Sequence, residues 1–138
     1  MTTQSITIAA TINAQVEKVW ACWTGPEHIT GWNFASDDWH CPSATNDVRV
    51  GGLSSSRMEA KDGSFGFDME YVYTSVEPLK MLGYELLDGR KVLTTFEANG
   101  DTTTVTTVFE PEAENPADMQ RDGWQAILNN FKAYVEGV

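Results

Sequence analysis

The feature that most constrains this chain is one long amphipathic segment at its C-terminal end, which follows a run of short strand-like segments. Its apolar side chains recur at i, i+3, i+4, i+7 and i+11: Trp124, Ile127, Leu128, Phe131 and Val135. This spacing places them on one helical face and predicts a helix over Ala117–Val138. Gly123 interrupts the helix, and an interior glycine costs about 1 kcal/mol relative to alanine. We therefore expect Gly123 to serve a packing purpose.

Residues 51–77 predict a β-hairpin around Asp62-Gly63, a dipeptide typical of tight turns. With these two residues as the loop, Met58 faces Phe67 and Arg57 faces Asp68. One face of the hairpin then carries Ser54, Ser56, Met58, Phe65, Phe67, Met69, Tyr71 and Tyr73. The opposite face is polar, so the register and the alternation of side chains agree.

Two further hairpins follow in residues 81–110. A three-residue loop over Asp88–Arg90 predicts that Leu82 faces Phe96 and that Tyr84 faces Thr94. Asn99-Gly100 is the strongest hairpin signal in the chain and predicts that Phe96 faces Thr103. The predicted strands are Met81–Leu87, Lys91–Ala98 and Asp101–Glu110.

The N-terminal part of the sequence predicts a strand, a helix, a short helix and a short strand, in that order. The predicted ranges are Gln4–Thr11, Ala14–Trp23 with Asn13 as its N-cap, Pro26–Thr30, and Asp38–Pro42. Strands followed by a terminal helix indicate an α+β fold, with the helix packed on one face of a curved antiparallel sheet. The length of 138 residues predicts a single domain over residues 1–138.

Composition narrows the classes of partner. The formal net charge of -11 argues against nucleic acid and anionic membranes, which need a basic surface, and is compatible with a basic protein partner. No segment resembles a signal peptide or a membrane span, so we expect a cytoplasmic protein without membrane insertion. In that compartment Cys22 and Cys41 are expected to be reduced thiols.

Several local motifs resemble the START-like, or helix-grip (SRPBCC), superfamily. They are Asn13-Ala14 before Val19-Trp20, Trp23-Thr24-Gly25-Pro26-Glu27-His28-Ile29 before Trp32, Gly51-Gly52, Phe109-Glu110-Pro111-Glu112, Gly123-Trp124, and residues 127–131. The branch is similar to Aha-type activators of heat-shock chaperone ATPase and to polyketide-cyclase-like proteins. The resemblance implies a curved antiparallel sheet of about six to seven strands wrapped around a long C-terminal helix, with two short helices after the first strand. It also implies a cavity between sheet and helix.

The candidate cavity residues are aromatic, methionine and small side chains on the expected inner faces. They are Trp32, Phe34, Trp39, Ser54, Ser56, Met58, Phe67, Met69, Tyr71, Tyr84, Gly123, Trp124, Ile127 and Phe131. Each of the large side chains could instead simply fill the core, because buried aromatic residues usually serve packing. The small serines would leave volume and add hydroxyl groups.

His40 and Arg49 are the weak candidates for chemistry. His40 could act as a general base with Asp38, and Arg49 could bind a carboxylate at the cavity mouth or lie at the surface. His40 and Cys41 are adjacent on a predicted strand and so point to opposite faces, which disfavours a shared metal ion. Cys22 and His28 have no recognised metal spacing. We therefore expect no metal and no cofactor.

Three functions remain open at this point. The first is a cytosolic protein that binds a small hydrophobic molecule, lipid-like or polyketide-like, in an apolar cavity. The second is a cyclase or lyase that uses His40, Arg49, Tyr71 and Tyr84 in the same cavity. The third, implied by the resemblance, is an interaction protein similar to the chaperone-ATPase activators, with a chaperone or a second copy as partner. Two or more of these polar groups within hydrogen-bond reach inside the cavity would favour the enzyme.

Overall fold

The computed structural model describes residues 5–138. Its elements are β1 (Ile6–Ile12), α1 (Val16–Thr24), α2 (Pro26–Ile29), β2 (Trp39–Asn46), β3 (Leu53–Ala60), β4 (Gly66–Glu77), β5 (Met81–Leu86), β6 (Lys91–Asn99), β7 (Thr102–Phe109) and α3 (Ala117–Gly137). The predicted start of the first strand at Gln4 lies outside the described residues. The helices α2 and α3 lie where the sequence predicts them, and each ends one residue earlier than predicted.

Seven antiparallel strands form one curled sheet in the order β1-β7-β6-β5-β4-β3-β2. The long helix α3 lies against β1 and α1. The fully buried side chains of Phe131 and Val135 on α3 join those of Phe109 and Leu82 from the sheet in one core. This confirms the predicted α+β helix-grip architecture, with two short helices after the first strand.

The hairpin of β3 and β4 has the predicted register. Met58 pairs with Phe67 and Arg57 pairs with Asp68. Gly63 takes a positive φ of 76°, which glycine adopts without steric cost. The carboxylate of Asp62 accepts the backbone N–H of Ser64 at 2.8 Å and so closes the turn.

The predicted register between β5 and β6 is wrong by two residues. Tyr84 pairs with Val92 rather than Thr94, and Leu82 pairs with Thr94 rather than Phe96. The loop is residues 87–89, because Gly89 can take a φ of 92° at the last loop position, where a three-residue hairpin needs a left-handed residue. Because side chains alternate with a period of two, a shift by two residues leaves each of them on its predicted face of the sheet. The predicted apolar face is therefore present.

The register between β6 and β7 also differs by two residues from the prediction. Phe96 pairs with Val105 rather than Thr103, and Thr94 pairs with Thr107. The two-residue loop is Gly100-Asp101, and only Gly100 has a positive φ. That is the pattern of a II′ turn, with glycine first, whereas an Asn99-Gly100 loop would place both residues at positive φ.

The largest differences from the predicted boundaries near the N-terminus are at the start of α1 and at the end of β2. The helix α1 begins at Val16 after Gln15, and the backbone N–H of Asn13 donates to the Glu136 carboxylate at 2.8 Å, so Asn13 is not the N-cap. The strand β2 continues to Asn46, beyond the predicted end at Pro42. Its register shifts between His40 and Ser43, around Pro42, which has no N–H to donate.

Side chains tie the sheet to the helices at both of its outer strands. Asn46 on β2 accepts the Tyr73 hydroxyl at 2.7 Å and donates its amide to the Thr24 carbonyl at 2.8 Å. On β1, the carbonyl of Ala9 accepts the side-chain amide of Gln125 at 3.1 Å. These bonds fix α1 and α3 relative to the sheet.

Within residues 5–138, no helix is both long enough and apolar enough to cross a membrane.

Candidate functional site

A pocket of about 240 Å³ lies between the inner face of the sheet and α3. It is lined by Ile8, Trp23, Trp32, Asn33, Met58, Phe67, Met69, Tyr71, Tyr84, Thr107, Trp124, Ile127 and Leu128. None of these side chains carries a charge at neutral pH. The volume is slightly below the roughly 300–1,000 Å³ of sites for drug-sized ligands.

The sheet wall of the pocket is built around two stacked tyrosines. The rings of Tyr71 on β4 and Tyr84 on β5 lie 4.1 Å apart between centroids, at an interplanar angle of 28°. Burial raises the pKa of both hydroxyls, so both stay neutral at physiological pH. The Tyr84 hydroxyl lies 3.4 Å from that of Thr94, which is 2.9 Å from the hydroxyl of the lining residue Thr107.

The helix wall is fixed by Trp124 on α3. Its ring stacks on Phe109 of β7 with centroids 4.0 Å apart and an angle of 8°. Aromatic pairs stabilise beyond the area that they bury, by about 0.5–1.5 kcal/mol. Ile127 and Leu128 follow one turn later on the same helical face, so a single helix supplies three lining side chains.

The third wall comes from α1 and the segment after α2. Trp23 stacks on Trp32 at 5.1 Å, and the indole N–H of Trp32 donates to the Cys22 carbonyl at 2.9 Å. The side-chain amide of Asn130 donates to the Trp32 carbonyl at 3.0 Å. Phe131 packs edge-on against both indoles, so this wall is held by packing and hydrogen bonds together.

Of the fourteen residues predicted for the cavity, the structure brings eight together in the pocket lining: Trp32, Met58, Phe67, Met69, Tyr71, Tyr84, Trp124 and Ile127. The lining residues that the prediction lacks are Ile8, Trp23, Asn33, Thr107 and Leu128. Leu128 belongs to the apolar stripe that predicts the C-terminal helix, and Trp23 follows Val16, Val19 and Trp20 at helical spacing in the first predicted helix, so both could have been found from the sequence. Contact of any of these residues with a ligand stays a prediction.

Six predicted residues lie outside the pocket lining. Phe131 is fully buried in the core, beside the two indoles. Phe34 lies in a separate surface depression beside α3, and Trp39 packs against Phe65 and Phe67. The others are Ser54, Ser56 and Gly123. The two serines are buried on β3, the first beside the Tyr71 hydroxyl and the second beside the Cys41 thiol.

The two candidates for chemistry also lie away from the pocket. His40 pairs with Glu59 across β2 and β3, with His40 Nε2 at 3.7 Å from the carboxylate, on the sheet face opposite the pocket. Strand alternation puts Trp39 and Cys41 on the inner face and His40 on the outer one. The side chain of Arg49 is 76% exposed and forms a 2.8 Å ion pair with Asp47. In residues 5–138, no three His, Cys, Asp or Glu side chains are placed to hold a metal ion.

The expected packing purpose of Gly123, inside α3, is not found in the structure. A Cβ atom added to Gly123 would meet no atom within 4 Å outside its own neighbourhood in the helix. Its φ is not positive, so the backbone does not require glycine either. The helix therefore makes no close approach at this residue.

We expect Gly123→Ala to raise the free energy of unfolding by about 0.5–1 kcal/mol, because alanine loses less backbone entropy in a helix and meets no obstacle here. Urea unfolding followed by circular dichroism measures the change. Gly137→Ala is the control: it also has open space, but it lies at the last residue of α3 and should change stability less. A loss of stability in Gly123→Ala would show that the glycine is needed.

Comparisons with known proteins agree over nearly the whole chain. A family described as "Activator of Hsp90 ATPase homolog 1-like protein" matches residues 13–136. The solution structure of an AHSA1-like protein from Aeromonas hydrophila is 41% identical, covers 96% of this chain and 92% of that one, and has a TM-score of 0.91. Protein Chr148 from Cytophaga hutchinsonii is 47% identical over 96% and 92% of the two chains, with a TM-score of 0.83.

A more distant structure shows the same fold. Protein NE0264 from Nitrosomonas europaea is 15% identical, covers 97% of this chain and 95% of that one, and has a TM-score of 0.83. At this identity the likeness concerns the fold alone. A search of curated proteins finds no match.

Proposed function

We propose that this chain, which belongs to the family of activator of Hsp90 ATPase homolog 1-like proteins, binds a ligand. The ligand is one small hydrophobic molecule, held between the sheet and α3. The observation that supports this proposal is the pocket itself, because its lining is apolar and aromatic and has few polar groups. Small-molecule sites commonly have this composition. The stacked rings and hydrogen bonds of the three walls keep the pocket largely preformed.

The lining further favours a neutral ligand. A carboxylate moved from water into such a pocket would lose its hydration without gaining a cationic partner, at a cost of several kcal/mol. The pocket can offer hydrogen bonds through Asn33 and the hydroxyl of Thr107. We therefore expect a neutral lipid-like or polyketide-like molecule with one or two hydrogen-bonding groups.

Binding is better supported than proton-transfer catalysis. A general base works best with a pKa near the operating pH, and the two lining tyrosines have pKa values raised by burial. His40 and Arg49, the other groups of the cyclase hypothesis, lie outside the pocket. The chaperone-activator function implied by the family's name stays a prediction.

The proposal predicts that the neutral compound 1-octanol binds at one site per chain and that octanoate, its anionic counterpart, binds at least about tenfold more weakly. Isothermal titration calorimetry measures both affinities. We expect Ile127→Trp to weaken octanol binding about tenfold or more, because the larger side chain fills the pocket. Native mass spectrometry of freshly purified protein would also show a retained natural ligand.

Leu93→Trp is the matched control, since Leu93 is 40% exposed on β6 and outside the pocket lining. It should leave octanol binding unchanged. Equal affinity for octanol and octanoate would contradict the neutral ligand. Equal effects of the two tryptophan variants, with both still folded by circular dichroism, would place the binding site elsewhere.

A further inference from the structure

Three aromatic side chains form a partly exposed cluster at the end of the β3–β4 hairpin. The rings of Trp39, Phe65 and Phe67 lie 6.0–6.1 Å apart between centroids, in edge-on and tilted contacts. Phe65 is 62% exposed and Phe67 is 41% exposed. We call these three residues the aromatic cluster. Contiguous exposed aromatic groups are uncommon on a monomer unless they bind something.

Strand pairing explains why the three rings meet. Trp39 on β2 pairs with Ala60 on β3, and the backbone N–H of Ala60 donates to the carbonyl of Phe65, the residue before β4, at 2.9 Å. Trp39, Ala60 and Phe65 therefore lie in one row across the sheet. The small side chain of Ala60 lets the two outer rings approach over it. Phe67 also lines the pocket, whereas Trp39 and Phe65 do not. The cluster therefore extends the inner face of the sheet beyond the pocket.

Acidic residues flank the aromatic cluster in the loop before Trp39 and in the hairpin turn before Phe65. Asp37 and Asp38 directly precede Trp39, and the Asp38 carbonyl accepts the backbone N–H of Lys61 at 2.8 Å, which joins this loop to the hairpin turn. Asp62 lies in that turn, where hydrogen bonds from the side chain and backbone of Ser64 lower the pKa of its carboxyl. All four charged side chains are exposed. The two segments next to the rings thus carry three carboxylates and one ammonium group.

We propose that the aromatic cluster docks a basic peptide segment of another protein, with one apolar side chain on the rings and its cationic residues toward Asp37, Asp38 and Asp62. Exposed aromatic residues supply much of the affinity in interfaces, and a charged rim supplies specificity and speed of association. The same rim disfavours a second copy of this chain, which would bring like charges together at a net charge of -11 each. It also disfavours an anionic membrane.

The test uses a fluorescein-labelled peptide, Lys-Lys-Leu-Leu-Phe-Leu-Lys-Lys, and a second peptide with glutamate at every lysine position. We expect saturable binding of the basic peptide only, measured by fluorescence anisotropy, and weakening as salt increases. Phe65→Ala should weaken binding about tenfold or more. Asp37→Asn should weaken it several-fold by removing one carboxylate.

Two variants serve as matched controls. Leu87→Ala removes a side chain that is 68% exposed in the β5–β6 loop, and Asp101→Asn removes one charge at the β6–β7 turn, at the opposite end of the sheet. Both should leave peptide binding unchanged. Because Phe65 lies outside the pocket, octanol binding by Phe65→Ala should also be unchanged, which separates this proposal from the ligand-binding one.

Several results would overturn the docking proposal. The proposal is wrong if the basic peptide shows no saturable binding or if the acidic peptide binds as tightly as the basic one. It is also wrong if a folded Phe65→Ala variant binds the basic peptide as tightly as the unchanged protein. Sedimentation that shows a dimer lost in Phe65→Ala would assign the cluster to self-association instead. Binding to phosphatidylcholine vesicles that depends on Phe65, without peptide binding, would assign it to a lipid surface.

Discussion

Phe131→Ala is expected to lower the free energy of unfolding by about 3–5 kcal/mol, because it leaves a cavity at the centre of the core. The Phe131 ring is fully buried and packs edge-on against Trp23 at 4.9 Å and Trp32 at 4.8 Å. Both indoles line the pocket, so ligand affinity should fall together with stability. Equilibrium unfolding in guanidinium chloride gives the free energy, and calorimetry with octanol gives the affinity.

Phe65→Ala is the control for the same chemical change at an exposed residue. It should cost about 1 kcal/mol or less, the scale of the aromatic pairs that it removes. A loss below 1 kcal/mol in Phe131→Ala would show that the core collapses around the missing ring without penalty, and would contradict the packing described for the third wall of the pocket.

The second large effect is expected from Gly52→Ala, at the residue immediately before β3. A Cβ atom there would overlap the backbone carbonyl oxygen of Asp47, which cannot move away as a flexible side chain could. The Gly52 carbonyl accepts the backbone N–H of Tyr73 at 3.0 Å, and the neighbouring Gly51 N–H donates back to Tyr73 at 2.8 Å. We expect a loss of about 3 kcal/mol or more in the free energy of unfolding.

Gly51→Ala is an informative comparison, because the two adjacent glycines are required for different reasons. Gly51 has open space around its Cα atom but a φ of 85°. Alanine at this φ costs roughly 1–2 kcal/mol of backbone strain. Thermal unfolding of both variants should therefore rank Gly52→Ala as the more damaging change, and the reverse order would contradict the overlap with Asp47.

The sequence predicted the fold well where two independent signals agreed. In the β3–β4 hairpin, the turn at Asp62-Gly63 and the alternation of polar and apolar residues required the same register, and that register is confirmed. The next two hairpins had only the turn to set the register. A shift by two residues leaves all faces unchanged, so alternation could not distinguish the predicted loops from the observed ones at Gly89 and Gly100.

The site was predictable only in part, for a related reason. Strand alternation identified the inner-facing residues of β3 and β4, such as Met58 and Met69, which line the pocket. The curl of the sheet brings Ile8 and Thr107 from β1 and β7 opposite them, and no local pattern encodes that approach. Alternation also places His40 on the face opposite Trp39 and Cys41, so this candidate for chemistry lies outside the pocket.

The curled sheet stays open, so β1 and β2 are edge strands with backbone groups free to pair with other chains. Such edges promote aggregation unless they are blocked. On β2, Pro42 and the register shift beside it interrupt the row of donors. On β1, the Gln125 side chain occupies the Ala9 carbonyl. The Gln125 bond that ties α3 to β1 and the irregularity at Pro42 thus each remove a backbone hydrogen-bonding group that another chain could pair with.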